Sequence, residues 1–90
     1  MHHVRLLIHG HVQGVGFRYF AARQADALGL NGEVRNRPDG RVAVEAEGEH
    51  ETLERFVEVL RRGPRAAHVS DVEVSWSEGP SRHRGFAITG

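Results

Sequence analysis

The sequence predicts an α+β fold, in the order β-α-β-β-α-β with a short edge strand added, on three observations. Apolar and polar residues alternate in several stretches, the two-residue period of strands with one buried face. Two stretches between them repeat apolar residues at steps of three and four, the period of helices lying on a core. Glycine and proline clusters separate the stretches. That split order places two helices on one face of a mostly antiparallel sheet, a ferredoxin-like α/β sandwich. Ninety residues make a single domain, 1–90, with room for a two-layer core and one site.

In the first strand Val4, Leu6 and Ile8 alternate with Arg5, Leu7 and His9, and Gly10 is expected to break it. From Phe17 the apolar residues fall at Phe20, Ala21, Ala25 and Leu28, with Gly29 placed to stop that helix. A second strand over Glu33 to Arg37 puts Val34 and Asn36 on one face. Pro38-Asp39-Gly40 supplies turn chemistry, and Val42, Val44 and Ala46 alternate in a third strand. Leu53, Phe56, Val57 and Leu60 mark the second helix, with Arg61 and Arg62 near its negative end and Gly63-Pro64 as the stop. Val72, Val74 and Trp76 alternate in a fourth strand, a polar turn runs from Ser77 to Arg84, and Phe86-Ala87-Ile88 forms the short fifth.

Composition bounds the function. The twelve Lys and Arg balance the twelve Asp and Glu, so no overall charge favours nucleic acid or an anionic membrane, and any positive site is local. All the Lys and Arg positions are arginine. With no cysteine, disulfides, thiolate nucleophiles and cysteine-ligated zinc are excluded. The N-terminal residues lack the apolar length of a secretory signal, and no stretch is long enough to span a bilayer. The protein is read as soluble and cytoplasmic by default, and a monomer is expected.

The chemistry concentrates in Gly10-His11-Val12-Gln13-Gly14-Val15-Gly16-Phe17-Arg18, between the first strand and the first helix. Gly14 and Gly16 permit positive φ, so successive N–H groups can converge on one anion as they do in nests and at helix N-termini. Arg18, in the first helical turn, adds a planar fork able to hold two phosphate oxygens. The connection between the first two strands returns the chain parallel to its start, which brings this loop and Asn36 to one edge of the sheet. A dinucleotide fingerprint fails because Tyr19 stands where a third glycine is needed, and a Walker loop fails for want of lysine.

Val12-Gln13-Gly14-Val15-Gly16-Phe17-Arg18 is followed by Leu28-Gly29-Leu30, Gly32, Val34-Arg35-Asn36, Asp39-Gly40 and Glu47-Gly48. In this order and spacing, and over almost the whole chain, these blocks resemble the acylphosphatase family. The resemblance implies metal-free, cofactor-free hydrolysis of small acyl phosphates to a carboxylate and inorganic phosphate. It implies that Arg18 binds the phosphate, that Asn36 positions the attacking water, and that main-chain groups from Gln13 through Gly14, Val15 and Gly16 to Phe17 complete the anion contacts. The chemistry agrees with so sparse a site. A carboxylate, whose conjugate acid has a pKa of about 4, departs without being protonated. A phosphomonoester expels a far more basic alkoxide, which calls for a metal or general acid that the sequence does not offer.

Other groups receive structural readings. His2, His3, His9 and His11 have no acidic residue at a recognised metal spacing beside them, so no metal site is assigned. Glu47, Glu49 and Glu51 are expected on a solvated acidic surface. Phe17, Phe20, Phe56, Trp76 and Phe86 are expected mostly in the core, since the third strand lacks the aromatic signature of an RNA-binding sheet. Where the family often ends on an aromatic or basic residue, Gly90 stands here, and the sequence leaves two places for its carboxylate, against the active-site arginine or out in solvent. Two other functions remain open at this point. One is a noncatalytic anion-binding or regulatory module; the other is a detached equivalent of the carbamoyl-phosphate-handling domain of hydrogenase maturation proteins.

Overall fold

A computed structural model describes all residues from Met1 to Gly90. The elements are β1 (His2–His11), α1 (Phe17–Ala27), β2 (Asn31–Asn36), β3 (Val42–Gly48), α2 (His50–Arg62), β4 (His68–Glu78) and β5 (Phe86–Ile88). The five strands form one mixed sheet in the order β4-β1-β3-β2-β5, with β5 parallel to β2 and every other pair antiparallel. Both helices cover one face, giving the ferredoxin-like sandwich expected from the sequence.

Period-two patterning builds that face directly. Val4, Leu6 and Ile8 of β1, Val34 of β2, and Val42, Val44 and Ala46 of β3 are all buried. Phe17, Ala21 and Ala25 pack from α1, and Leu53, Phe56, Val57 and Leu60 pack from α2. The two alanines let α1 lie close to the sheet, while the larger stripe of α2 fills the remaining space. Glu51 in the first turn of α2 and Arg61 and Arg62 in its last turn complement the helix dipole.

The structure departs from the sequence expectation at several points. Gly10 does not break β1: the strand continues through a register shift between His9 and Gly10, and Gly10 and His11 still pair with β4. A Cβ at Gly10 would lie 2.1 Å from the carbonyl oxygen of His68, so glycine is required there by the close approach of β4. The second strand begins at Asn31 and ends at Asn36, one residue short of Arg37, because Arg37 closes the turn by donating its N–H to the carbonyl of Arg41 at 2.8 Å. Trp76 is not core but exposed at the far edge, where its ring lies 4.4 Å from that of His50.

Glu47 is the clearest correction. Glu49 and Glu51 are exposed as expected, but Glu47 is only 1% exposed. It points to the sheet face opposite the helices, and the segment after β4 folds over it. Its carboxylate accepts from the Ser81 hydroxyl at 2.6 Å, the Arg82 N–H at 2.9 Å and the His83 N–H at 3.0 Å, and His3 Nδ1 lies 3.4 Å away. Burial alone would push the carboxyl upward, but these hydrogen bonds together outweigh it and hold it below its ordinary value.

Two tests follow from this packing. Gly10→Ala is expected to lower stability by about 2 kcal/mol or more, from positive-φ strain and the clash with β4, as read by chemical denaturation. For Glu47, a carboxyl whose folded pKa lies below the ordinary 4.5 contributes stability above that pH and loses it as pH falls through the folded value. The wild type should therefore lose stability below about pH 4.5. Glu47→Gln should be less stable than wild type at pH 7, with the gap closing under acid in denaturant midpoints.

Candidate active site

β1 and β2 both run antiparallel to β3, so they are parallel to each other and their C-terminal ends lie at one edge of the sheet. The loop after β1 and the last residue of β2 therefore meet there. Val12 and Phe17, buried to 1% exposure each, anchor the loop at both ends, while Gly14 and Gly16 between them are exposed. Gly14 has φ 74° and Gly16 φ 79°, and an added Cβ would meet nothing within 4 Å at either. Their requirement is thus left-handed backbone conformation rather than space.

Gly16 caps α1 without a side-chain hydrogen bond, and no acidic residue occupies the first turn. The first N–H groups of the helix consequently have no side-chain acceptor competing for them, which is the condition for receiving an external anion. Arg18 follows in that same turn. Its Nη1 donates to the Gly90 oxygen at 2.6 Å, and that oxygen also accepts the Asn36 N–H at 3.1 Å. The segment after β5 reaches this point because Thr89 donates its N–H to the Val34 carbonyl at 3.0 Å. One oxygen thus ties the α1 arginine to the end of β2, which decides between the two places the sequence left open for Gly90.

Asn36 shares the helix-facing side of β2 with Val34, and its Oδ1 is buried with no hydrogen-bond partner in the protein. A buried acceptor without a donor is uncommon in a folded chain and marks a place for water or ligand. Next to it, the 37–41 turn carries a dense polar network. Asp39 accepts from Arg37 Nε at 3.1 Å and from Arg41 N–H at 3.1 Å and Nη2 at 2.5 Å. The Arg41 guanidinium, helped by its backbone N–H and by Arg37, holds the Asp39 carboxyl far below the usual range. Gln13 Nε2 donates across the loop to the carbonyls of Arg37 at 2.7 Å and Arg41 at 3.0 Å.

This assembly, a positive-φ loop running into an uncapped helix with an arginine in its first turn and an asparagine beside it, can be compared with known proteins. The acylphosphatase family model matches residues 4–88. The chain belongs to the acylphosphatase family. An acylphosphatase of Thermus thermophilus is 56% identical over 72 residues, covering 80% of this chain and 82% of that one. The crystal structure of acylphosphatase from Bacillus subtilis matches with a TM-score of 0.96 at 42% identity, covering 100% of both chains. Full-length HypF, in its phosphate- and nucleotide-bound form, matches with a TM-score of 0.87 at 32% identity, but this chain covers only 12% of it.

Within this acylphosphatase fold every residue singled out from the sequence, Gln13 to Arg18 and Asn36, falls at one edge of the sheet. Clefts elsewhere lie between the helices, beside the α1–β2 and β3–α2 connections, and on the helix-free face of the sheet. One group of possible metal donors, Glu33, Glu45 and His83, sits on the helix-free face. Glu45 is already paired with Arg5 Nε at 3.1 Å, and Glu33 accepts from the Thr89 hydroxyl at 3.0 Å. Sequence reasoning missed the side-chain role of Gln13 and the network of Asp39; the only signal for the latter was an aspartate flanked by arginines at two-residue spacing. No helix is long and apolar enough to cross a membrane.

Proposed function

We propose that this acylphosphatase hydrolyses small acyl phosphates by in-line attack of one positioned water, without a metal. The observation that carries the mechanism is the buried, unpartnered Oδ1 of Asn36 at the end of β2. A neutral amide oxygen is no useful base, but it accepts a hydrogen bond from water and so fixes the direction of attack. The N–H groups from Gln13 to Phe17 surround the phosphate, and Arg18 grips it with the edge of its guanidinium that Gly90 leaves free. Held at Nη1 by the Gly90 oxygen, that guanidinium is already oriented when substrate arrives.

In the step itself the water oxygen bonds to phosphorus as the bond from phosphorus to the acyl oxygen breaks. The bonding pair leaves with the carboxylate, which needs no proton. The proton of the attacking water passes to a phosphate oxygen of the substrate. Arg18 and the loop N–H groups stabilise the charge spread over the equatorial oxygens. Chain-wide charge balance supports a small-molecule partner over nucleic acid or an anionic membrane, and we propose a monomeric, cytoplasmic enzyme.

Phosphate release from benzoyl phosphate in the presence of a chelator, run beside p-nitrophenyl phosphate, tests the reading. Activity on the first and none on the second is expected; inactivity of the folded protein on both refutes it. Arg18→Lys should keep the fold and lose about a hundredfold or more in rate, because a point charge cannot reproduce the fork. Asn36→Ala should lower kcat with little change in KM, since water placement counts mainly at the transition state. Equal kcat in this variant and wild type removes Asn36 from the mechanism.

A further inference from the structure

We infer that the side chain of Gln13 is a positioning residue: its amide locks the phosphate loop to the 37–41 turn and so sets the distance between the anion cradle and Asn36. The inference rests on the catalytic reading above. It assigns to the Gln13 side chain a role distinct from the anion contact of its backbone. Both hydrogens of one amide nitrogen are used, toward Arg37 O at 2.7 Å and Arg41 O at 3.0 Å. Those two carbonyls belong to opposite arms of the turn, so a single side chain spans its mouth. Residue 13 opens the cradle, and residue 37 directly follows Asn36.

The remainder of the turn is built to be a rigid anchor. Arg37 donates its N–H to the Arg41 carbonyl at 2.8 Å, and Gly40 donates its N–H to the Arg37 carbonyl at 3.2 Å. From the side chains, Asp39 ties Arg37 and Arg41 together. Each carbonyl that Gln13 reaches therefore keeps a backbone donor of its own. Removing the Gln13 amide leaves neither carbonyl orphaned, so the folding penalty is small. What is lost is the only pair of side-chain hydrogen bonds between the loop and the turn. A shift on the order of 1 Å between reacting groups costs about a hundredfold in rate, so the effect should fall on the chemical step.

The test uses Gln13→Met, which keeps length and removes both donors, and Gln13→Glu, which keeps shape and turns acceptor oxygens toward two carbonyls. Benzoyl phosphate kinetics, competitive inhibition by inorganic phosphate and thermal unfolding are measured for both. Gln13→Met should lose about tenfold or more in kcat while KM and the phosphate inhibition constant stay within about twofold, because the cradle and Arg18 are intact. Gln13→Glu should lose at least as much. Wild-type kcat in either variant overturns the inference, and so does a fall in activity matched by weaker phosphate binding or by the loss of folded protein. Arg18→Lys run alongside separates the two readings. If it is inactive while Gln13→Met is unimpaired, the clamp fails and the catalytic site stands; if it keeps full activity, the catalytic site itself fails.

Discussion

Strand β3 lies between β1 and β2 and hydrogen-bonds to both in antiparallel register, and the site depends on that arrangement. Because β1 and β2 are each antiparallel to the same strand, they point the same way and finish at the same edge. The glycine loop and Asn36 are separated by the whole of α1 in the sequence, yet the sheet topology alone brings them to the same end of the strands, where the Gln13 amide then bridges the loop to the turn after Asn36. Val42, Val44 and Ala46 of β3, buried among the helix-facing residues, fix this register. A slip by one residue would turn every apolar side chain toward solvent, so the core itself enforces the alignment of the catalytic edge.

In the mechanism proposed above, backbone around that edge takes the part that ions play in other phosphate-handling proteins. Positive φ at Gly14 and Gly16 aims N–H groups, and the start of α1 has no side-chain cap or acidic residue to compete with an anion. In that mechanism one guanidinium, that of Arg18, supplies the formal charge. This economy fits a substrate whose leaving group is already a good one, since the protein must stabilise charge and orient water but need not donate a proton. Rigidity then matters more than reactivity. The Gly90 oxygen on Arg18, the Gln13 amide on the turn and the Asp39 network all restrict motion of groups that do not themselves react.

The helix-free face shows the converse behaviour. It is rich in charged residues, as expected for a solvent-facing side of an antiparallel sheet, but Glu47 at the end of β3 is covered by the segment leading to β5. Its carboxylate satisfies the N–H groups of Arg82 and His83 and the Ser81 hydroxyl. A buried charge of this kind costs desolvation, which the hydrogen bonds offset. In return it fixes a segment that has no regular secondary structure and that delivers β5, and with it Gly90, to the active edge.

The amino-acid order by itself determined the sequence of elements, the helix-facing core and the identity of the loop. Those features arise from local rules: alternation for Val4, Leu6 and Ile8, three- and four-step spacing for Leu53 to Leu60, and positive-φ glycines before Arg18. Only the tertiary structure decided which polar residues meet. Glu47 looks solvated because its neighbours in the chain are polar, and a segment more than thirty residues away covers it. Gly10 looks like a strand breaker until β4 is laid against it. Gln13 carries no local sign of its amide reaching the hairpin, because hydrogen bonds between distant segments depend on where the sheet brings them, and no periodicity records that.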